Sequence, residues 1–289
     1  MSFLSVENLT HVYGSGAPGS KVAIKDISFS LEKGEILGII GHTGSGKSTL
    51  VSHLNGLIKP TNGKILIDGL NIWQNPKEIK KIRAKVGLVF QYPEYQLFEE
   101  TVYKDIAFGP QNLGVTEGEL DKSVRDAAEL MKISEDLLDK SPFDLSGGQK
   151  RRVAIAGVLA MKPEIVVFDE PTAGLDPIGR ETIFRAIKDY RDKYNATVII
   201  VSHSMEDIAA VTDKVLVLNH GEAVMFDSTD KVFANGEELK ALGLGVPIIT
   251  QVFLKLKSKY PDLDILPLTV TDGVDTILSY LERRGSVNV

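Results

Sequence analysis

Residues 41–48 read Gly-His-Thr-Gly-Ser-Gly-Lys-Ser and follow directly on a compact apolar run, Glu35-Ile36-Leu37-Gly38-Ile39-Ile40. The octapeptide fits the phosphate-binding loop pattern G-x-x-x-x-G-K-[ST]. The apolar run before it reads as a buried parallel strand, and residues 47–57 after it read as a helix. Strand, glycine-rich turn and helix together constrain the chain to an α/β fold with an anion site at a helix N-terminus. Backbone N–H groups from Thr43 to Ser48, bounded by Gly41 and His42 before and Thr49 after, are expected to point at phosphate oxygens. Gly44 and Gly46 allow a close backbone approach that a Cβ would block, and Ser45 lies between them. Lys47 reaches the β and γ phosphates, and Ser48 offers a hydroxyl to Mg²⁺.

Similar apolar runs return at residues 86–90, 165–168, 197–201 and 215–218, with helical patterns between several of them, for example at 117–131 and 180–194. Strands alternating with helices predict a mostly parallel sheet covered on both faces. The first thirty residues differ. Residues 4–9 and 22–29 alternate with period two around a loop containing glycine and proline, 14–19, and predict an antiparallel region. From Phe90 to Ser146 the pattern turns predominantly helical. Beyond about residue 227, Ile249, Val252, Phe253 and Leu256 fall at helical spacing, and Val274, Ile277, Leu278 and Leu281 repeat it, joined by the Pro-containing segment 261–267. These helices read equally as a cap over the sheet's core and as a small dimerisation domain.

Two further stretches carry chemistry. Residues 165–168 deliver Asp169 and Glu170 to the end of a strand, the sheet edge at which ligands bind in such folds. Asp169 fits the Mg²⁺-side role of a second phosphate-site motif, and Glu170 fits a general base that polarises an attacking water. Leu145-Ser146-Gly147-Gly148-Gln149 stands about 100 residues after the phosphate loop and precedes a helical stretch at 150–161. Ser146 can cap that helix, whose N-terminus again attracts an anion.

The balance of 33 basic against 39 acidic residues, a net charge of −6, argues against nucleic acid as the main partner. The absence of cysteine excludes disulfides, thiolate metal sites and cysteine nucleophiles. No apolar run approaches the ~18 to 20 residues needed to cross a bilayer, and the N-terminus lacks a signal-peptide pattern. At a membrane, such a chain is expected to dock onto another protein.

In order and spacing, residues 41–48, Gln91, residues 145–149, Asp169, Glu170, Asp176 and His203 resemble the ATP-binding cassette family, over roughly residues 3–227. The resemblance implies a P-loop NTPase cassette at residues 1–227, with a mixed sheet core, an antiparallel β subdomain and a helical subdomain at about 92–160. A small C-terminal helical domain would occupy 228–289. It implies ATP and Mg²⁺ as cofactors. Gln91 resembles the glutamine that senses both Mg²⁺ and the membrane subunit. His203 resembles the switch histidine at the γ-phosphate and attacking water, and Asp176 the aspartate that crosses the dimer interface. Tyr13 sits where such proteins place an aromatic against adenine. Ser146, Gly147, Gly148 and Gln149 would serve a nucleotide held by a partner cassette, two chains sandwiching two ATP molecules.

Tyr92, Tyr95, Phe98, Tyr103 and Phe108 crowd into residues 92–108, a region that faces the membrane subunits in this family and suits docking of an amphipathic helix. That segment, with Phe108-Gly109-Pro110-Gln111-Asn112-Leu113-Gly114 and the C-terminal extension, resembles the energy-coupling factor transporters, importers of vitamins and transition-metal ions. The likeness is to the second of their two paralogous cassette subunits. It implies a peripheral protein at the cytoplasmic face of the cell membrane, partnered by a paralogous cassette, an integral membrane coupling subunit and substrate-capture membrane proteins. Alternative readings are a homodimeric ATPase of a conventional importer or exporter, and a non-transport, nucleotide-gated interaction module.

Overall fold

The computed structural model describes residues 2–263 and 266–283; residues 264–265 of the expected connection and 284–289 of the expected C-terminal domain lie outside the described residues. The chain opens with β1 (Leu4–Tyr13) and β2 (Lys21–Leu31), then β3 (Ile36–Gly41), α1 (Lys47–Leu54), β4 (Asn62–Ile67), β5 (Leu70–Asn71), α2 (Ile79–Lys85) and β6 (Val86–Val89). Four helices follow: α3 (Val102–Asn112), α4 (Glu117–Leu130), α5 (Glu135–Leu138) and α6 (Gly147–Leu159). The α/β alternation resumes with β7 (Ile165–Asp169), α7 (Pro177–Tyr194), β8 (Thr197–Val201), α8 (Met205–Val211), β9 (Lys214–Asn219) and β10 (Glu222–Ser228). The C-terminal helices are α9 (Thr229–Ala234), α10 (Gly236–Ala241), α11 (Ile248–Lys257) and α12 (Val270–Arg283).

Strands β10-β9-β3-β8-β7-β6 form one sheet, parallel except for β10, which returns antiparallel on β9. A second, antiparallel sheet has the order β2-β1-β4-β5. All residues of β3 and β8 are buried, because both faces of the large sheet are covered. The side chains divide by period two between two cores. Ile36, Ile40, Val198, Ile200, Val166 and Phe168 join the core shared with the helices. Leu37, Ile39, Ile199, Val201, Ile165 and Val167 join the one shared with α1 and the antiparallel sheet.

Local chemistry sets the helix limits. α1 stops at Leu54, short of the expected residue 57, because Gly56 adopts φ +68, where a Cβ would also strike Ile79. α7 begins at Pro177, earlier than the 180–194 pattern suggests. Asp176 caps it by accepting the Gly179 N–H at 2.7 Å, and the proline sits in the first turn. α6 begins at Gly147 behind a full capping box: Ser146 Oγ accepts the Gln149 N–H, and Gln149 Oε1 accepts the Ser146 N–H.

In the C-terminal part, Val232, Phe233, Leu239 and Val246 belong to the helix-side core, so α9 and α10 cap the sheet. α11 and α12 meet at Gly273, where a Cβ would lie 2.7 Å from Ile249 and 3.4 Å from Phe253. They leave Val252, Val274 and Leu278 exposed.

At Gly38 in β3, a Cβ would lie 2.7 Å from Cγ2 of Ile208, which is fully buried and has no room to retreat. Gly38→Ala is expected to cost about 1–3 kcal/mol through overpacking, read as a lowered urea midpoint with an unchanged slope.

Candidate active site

Parallel pairing lines up the ends of three strands. Ile39 of β3 pairs with Val201 of β8, and Val201 pairs with Asp169 of β7. The segments leaving this row, 41–48, Glu170 and His203, emerge on the same edge of the sheet, and Gln91 follows β6 there. They bound an open cleft of about 640 Å³ lined by Tyr13, Thr43, Gly44, Gly46, Lys47, Ser48, Thr49, Gln91, Asp169, Glu170 and His203. Lys21, Val22, Ala23 and His220 complete the lining.

The loop is held from behind. Ser45 N–H donates to His42 O at 3.1 Å, and Gly221 N–H donates to Ser45 O at 3.0 Å. Gly46 adopts φ +103, and a Cβ there would strike Ile24 Cγ2 at 2.7 Å and Ala23 O at 2.9 Å. At Gly44 a Cβ would meet no protein atom within 4 Å, and the backbone there is left-handed at φ +81. The N-cap of α1 is Gly46, which has no side chain with which to cap the helix end that faces the cleft. Lys47 is buried and donates to Gly41 O at 2.6 Å and His42 O at 2.8 Å. Burial pushes its ammonium below the usual lysine range, against the Glu170 and Asp169 charges.

Glu170 sits at φ +51, a strained value for a residue with a side chain, and its N–H donates to Val201 O at 3.0 Å. Oε1 is buried and has no hydrogen-bond partner; His203 Nε2 is its nearby cation candidate at 3.6 Å, beyond hydrogen-bond reach. Burial first, and the Asp169 charge second, push the Glu170 carboxyl up to about 7, while Lys47 and the His203 backbone N–H oppose them. Burial likewise raises Asp169, opposed by Lys47. The imidazole of His203 is lowered by desolvation, then by the charges of Lys47 and His42. The orphaned Oε1 of Glu170 and Oγ of Ser45 mark polar capacity that the protein leaves unused. Ser48, Gln91 and Asp169 supply oxygens of the kind a hard divalent cation takes alongside phosphate.

Ser146, Gly147, Gly148, Gln149 and Asp176 are not among the cleft's lining residues. The two segments come near each other at Leu175, 3.8 Å from where a Cβ on Gly148 would lie, and Ser146, Gly147 and Asp176 are exposed. Their side chains cap α6 and α7. Gly41, His42 and Thr43 also line a second cavity of about 400 Å³ with His203, Glu206 and residues 243–246. There His42 Nε2 hydrogen-bonds to Leu242 O, so the phosphate loop touches the C-terminal part of the chain.

Several supporting residues carry no sequence signal of their own. Asp207 accepts from Thr172 Oγ1 at 3.3 Å and from Arg180 Nη2 at 2.6 Å, and Arg180 also donates to Ser204 at 3.2 Å. The loops that carry Glu170 and His203 are thereby tied together. Arg151 of α6, buried, donates to both carboxylate oxygens of Glu94, at 3.0 and 2.7 Å, and to Ala173 O. Its guanidinium also lies over the Tyr92 ring at 5.7 Å. Burial alone would raise Glu94, but the Arg151 hydrogen bonds prevail and hold it below the usual carboxylate range. An arginine on the buried side of a helix signals a partner, but the acid lies 57 residues away in sequence.

A strand–phosphate loop–helix unit, two carboxylates at the neighbouring strand end and a second glycine-rich helix start are the parts of a nucleotide-hydrolysing cassette, and the chain belongs to the ABC transporter family, whose profile matches residues 24–173. Its relatives place it in one branch of that family. It is 53% identical over 99% of both chains to the energy-coupling factor transporter ATP-binding protein EcfA2 of Caldanaerobacter subterraneus subsp. tengcongensis. It is 49% identical to EcfA2 of Clostridium perfringens, over 98% of this chain and 99% of that one. Among solved structures, cbiO1 from Clostridium perfringens, part of the ABC transporter complex cbiONQ, superposes with a TM-score of 0.74 at 39% identity, covering 83% of this chain and 94% of that one. A dimeric ATP-binding cassette in a post-hydrolysis state bound to ADP and Pi superposes with a TM-score of 0.69 at 29% identity, covering 78% and 98%.

Arg151→Met would leave the Glu94 carboxylate without its partner in a largely water-excluded position. The expected cost is about 3 kcal/mol, and Arg151→Met with Glu94→Gln should recover part of it, a coupling measured by urea denaturation in a double-mutant cycle.

Proposed function

We propose that this chain is one of the two ATP-binding and ATP-hydrolysing cassettes of an energy-coupling factor importer, and that it powers uptake of vitamins or transition-metal ions. The observation that carries the reading is the division of the site. One cleft gathers Tyr13, the phosphate loop, Gln91, Asp169, Glu170 and His203, while the second glycine-rich helix start and Asp176 lie outside it and exposed. In other phosphoryl-transfer switches a partner supplies in trans a group that stabilises transition-state charge, and the same division is proposed for this site. Two chains set head to tail would bring Ser146–Gln149 and Asp176 of each onto the nucleotide of the other.

Within one cleft, Gly41–Ser48 and Thr49 bind the phosphates of ATP, with Lys47 turning from the loop's own carbonyls to the β and γ oxygens. Ser48, Asp169 and Gln91 would hold Mg²⁺, which when bound neutralises charge on the β and γ phosphates. Glu170 is the general base for the attacking water. Its orphaned oxygen and raised carboxyl suit a group that accepts a proton near neutral pH. His203, beside it, orients water and γ-phosphate, and Tyr13 faces the adenine.

Among the described residues no helix is long and apolar enough to cross a membrane, and the relatives are transporter ATP-binding proteins. Attachment to the cytoplasmic face would come through the surface around Gln91. Phe90, Tyr92, Tyr95, Phe98 and Phe108 are exposed there. Phe90 and Phe108 line a groove of about 600 Å³ with Leu57, Leu113 and Met161. The groove would receive an amphipathic helix of the membrane coupling subunit. The paralogous cassette is the second partner, and small membrane proteins would capture the cargo.

Glu170→Gln is expected to keep ATP binding, lower phosphate release at least about 100-fold and stabilise the ATP-bound dimer on size exclusion; near-normal turnover would remove Glu170 from the role of base. Phe108→Asp should release the chain from detergent-solubilised membrane partners on affinity purification while leaving ATP affinity within about twofold, since the groove stands apart from the cleft.

A further inference from the structure

Tyr13 ends β1, and its ring is held by three residues that form a closed circuit with it. The Tyr13 ring meets His11 edge to face, with centroids 4.5 Å apart and planes at 81°. His11 in turn meets His53 of α1, at 4.7 Å and 66°. His53 Nδ1 lies 2.6 Å from Thr49 O, and Thr49 Oγ1 lies 3.4 Å from the Tyr13 hydroxyl. Thr49 is the residue after Ser48 of the phosphate loop. Each link therefore ties the Tyr13 ring to the first turns of the helix that the loop opens.

Both histidines are buried, His53 completely. Because a carbonyl oxygen can only accept, His53 carries its proton on Nδ1, which leaves Nε2 as a buried acceptor with no hydrogen-bond partner among the described residues; His11 Nδ1 is buried and without a partner among them as well. The register of β1 on β2 shifts on both sides of His11, an irregularity that re-aims a side chain. Two imidazoles with unsatisfied nitrogens are a poor choice for filling a core. They are a good choice of rigid, flat, short ring for spacing a tyrosine from a helix, since each has only two side-chain torsions.

We infer that His11 and His53 are positioning residues for nucleotide binding, which fix the span between the Tyr13 ring and the phosphate loop and so favour a ligand carrying an aromatic base at one end and a triphosphate at the other. The inference rests on the reading that Tyr13 faces the base. His11 would act through Tyr13 alone. Its unpartnered nitrogen means that the shape of the ring, not its polarity, is what Tyr13 uses.

The test compares binding of ATP and of inorganic tripolyphosphate, by calorimetry on the full chain. Tyr13→Ala and His11→Ala are each expected to weaken ATP about five- to tenfold, the size of a lost aromatic contact, and to leave tripolyphosphate within about twofold. His11→Phe, which keeps a ring against Tyr13, should retain ATP affinity, and Tyr13→Ala with His11→Ala should be no weaker than Tyr13→Ala alone. Undiminished ATP affinity in His11→Ala, or an equal loss for both ligands, overturns the inference while leaving the role of Tyr13 intact. Undiminished ATP affinity in Tyr13→Ala overturns the base-facing reading, and the inference with it.

Discussion

The Lys47 ammonium is the charge around which the cleft is organised. It is buried, held by two carbonyl oxygens of its own loop, and kept from losing its proton more readily still by Asp169 and Glu170. The relation runs both ways. Burial raises both carboxyls, and Lys47 restrains each of them. Such a set of one cation and two acids is stable only if the backbone fixes their separation. The pairing of Ile39, Val201 and Asp169 across β3, β8 and β7 does so, because three buried parallel strands cannot slip without turning both cores inside out. A phosphate-bearing ligand adds the negative charge that this arrangement can take up through Lys47, while a divalent cation adds the positive charge that the two acids can take up.

The same sheet explains why the supporting residues lie in loops. Glu170 in a left-handed conformation and an exposed His203 are held by contacts from outside their own segments, through Asp207 to Thr172 and Arg180. Arg151 joins the second glycine-rich helix to Glu94 in the aromatic segment and to Ala173 beyond the acids. On the proposed reading, in which the aromatic segment meets the membrane subunit, a displacement of Glu94 would reach the residues that follow Glu170 through Arg151.

How much of this could be read from the chain depended on whether the signal was local. The strand at 197–201 was legible to the residue, and β3, β7 and β9 nearly so, because a run buried on both faces is apolar without interruption. The phosphate loop, Gln91, Asp169, Glu170 and His203 were legible as members of an ordered set, and the structure brings them to one cleft. The helix starts were less so. The capping of α7 by Asp176 was hidden because Asp176 was read for another purpose, and Gly147 and Gly148 masked the first turn of α6. Arg151 with Glu94, Asp207 with Thr172 and Arg180, and His220 at the cleft were not legible. Each depends on a contact between segments far apart in sequence, and a single charged residue on a helix is ordinarily solvated. Gly44 has a second requirement that the sequence did not show, its left-handed backbone at φ +81.

On the proposed reading the cleft is half of a site, finished by the glycine-rich helix start of a second cassette. The most direct measurement places a photoreactive amino acid at Ser146 in the complex purified from native membranes and maps its cross-links by mass spectrometry, with and without ATP. A site shared between two cassettes should give an ATP-dependent cross-link to the phosphate loop of a second cassette chain. A cross-link pattern that is the same with and without ATP, or that stays within one chain, would contradict it.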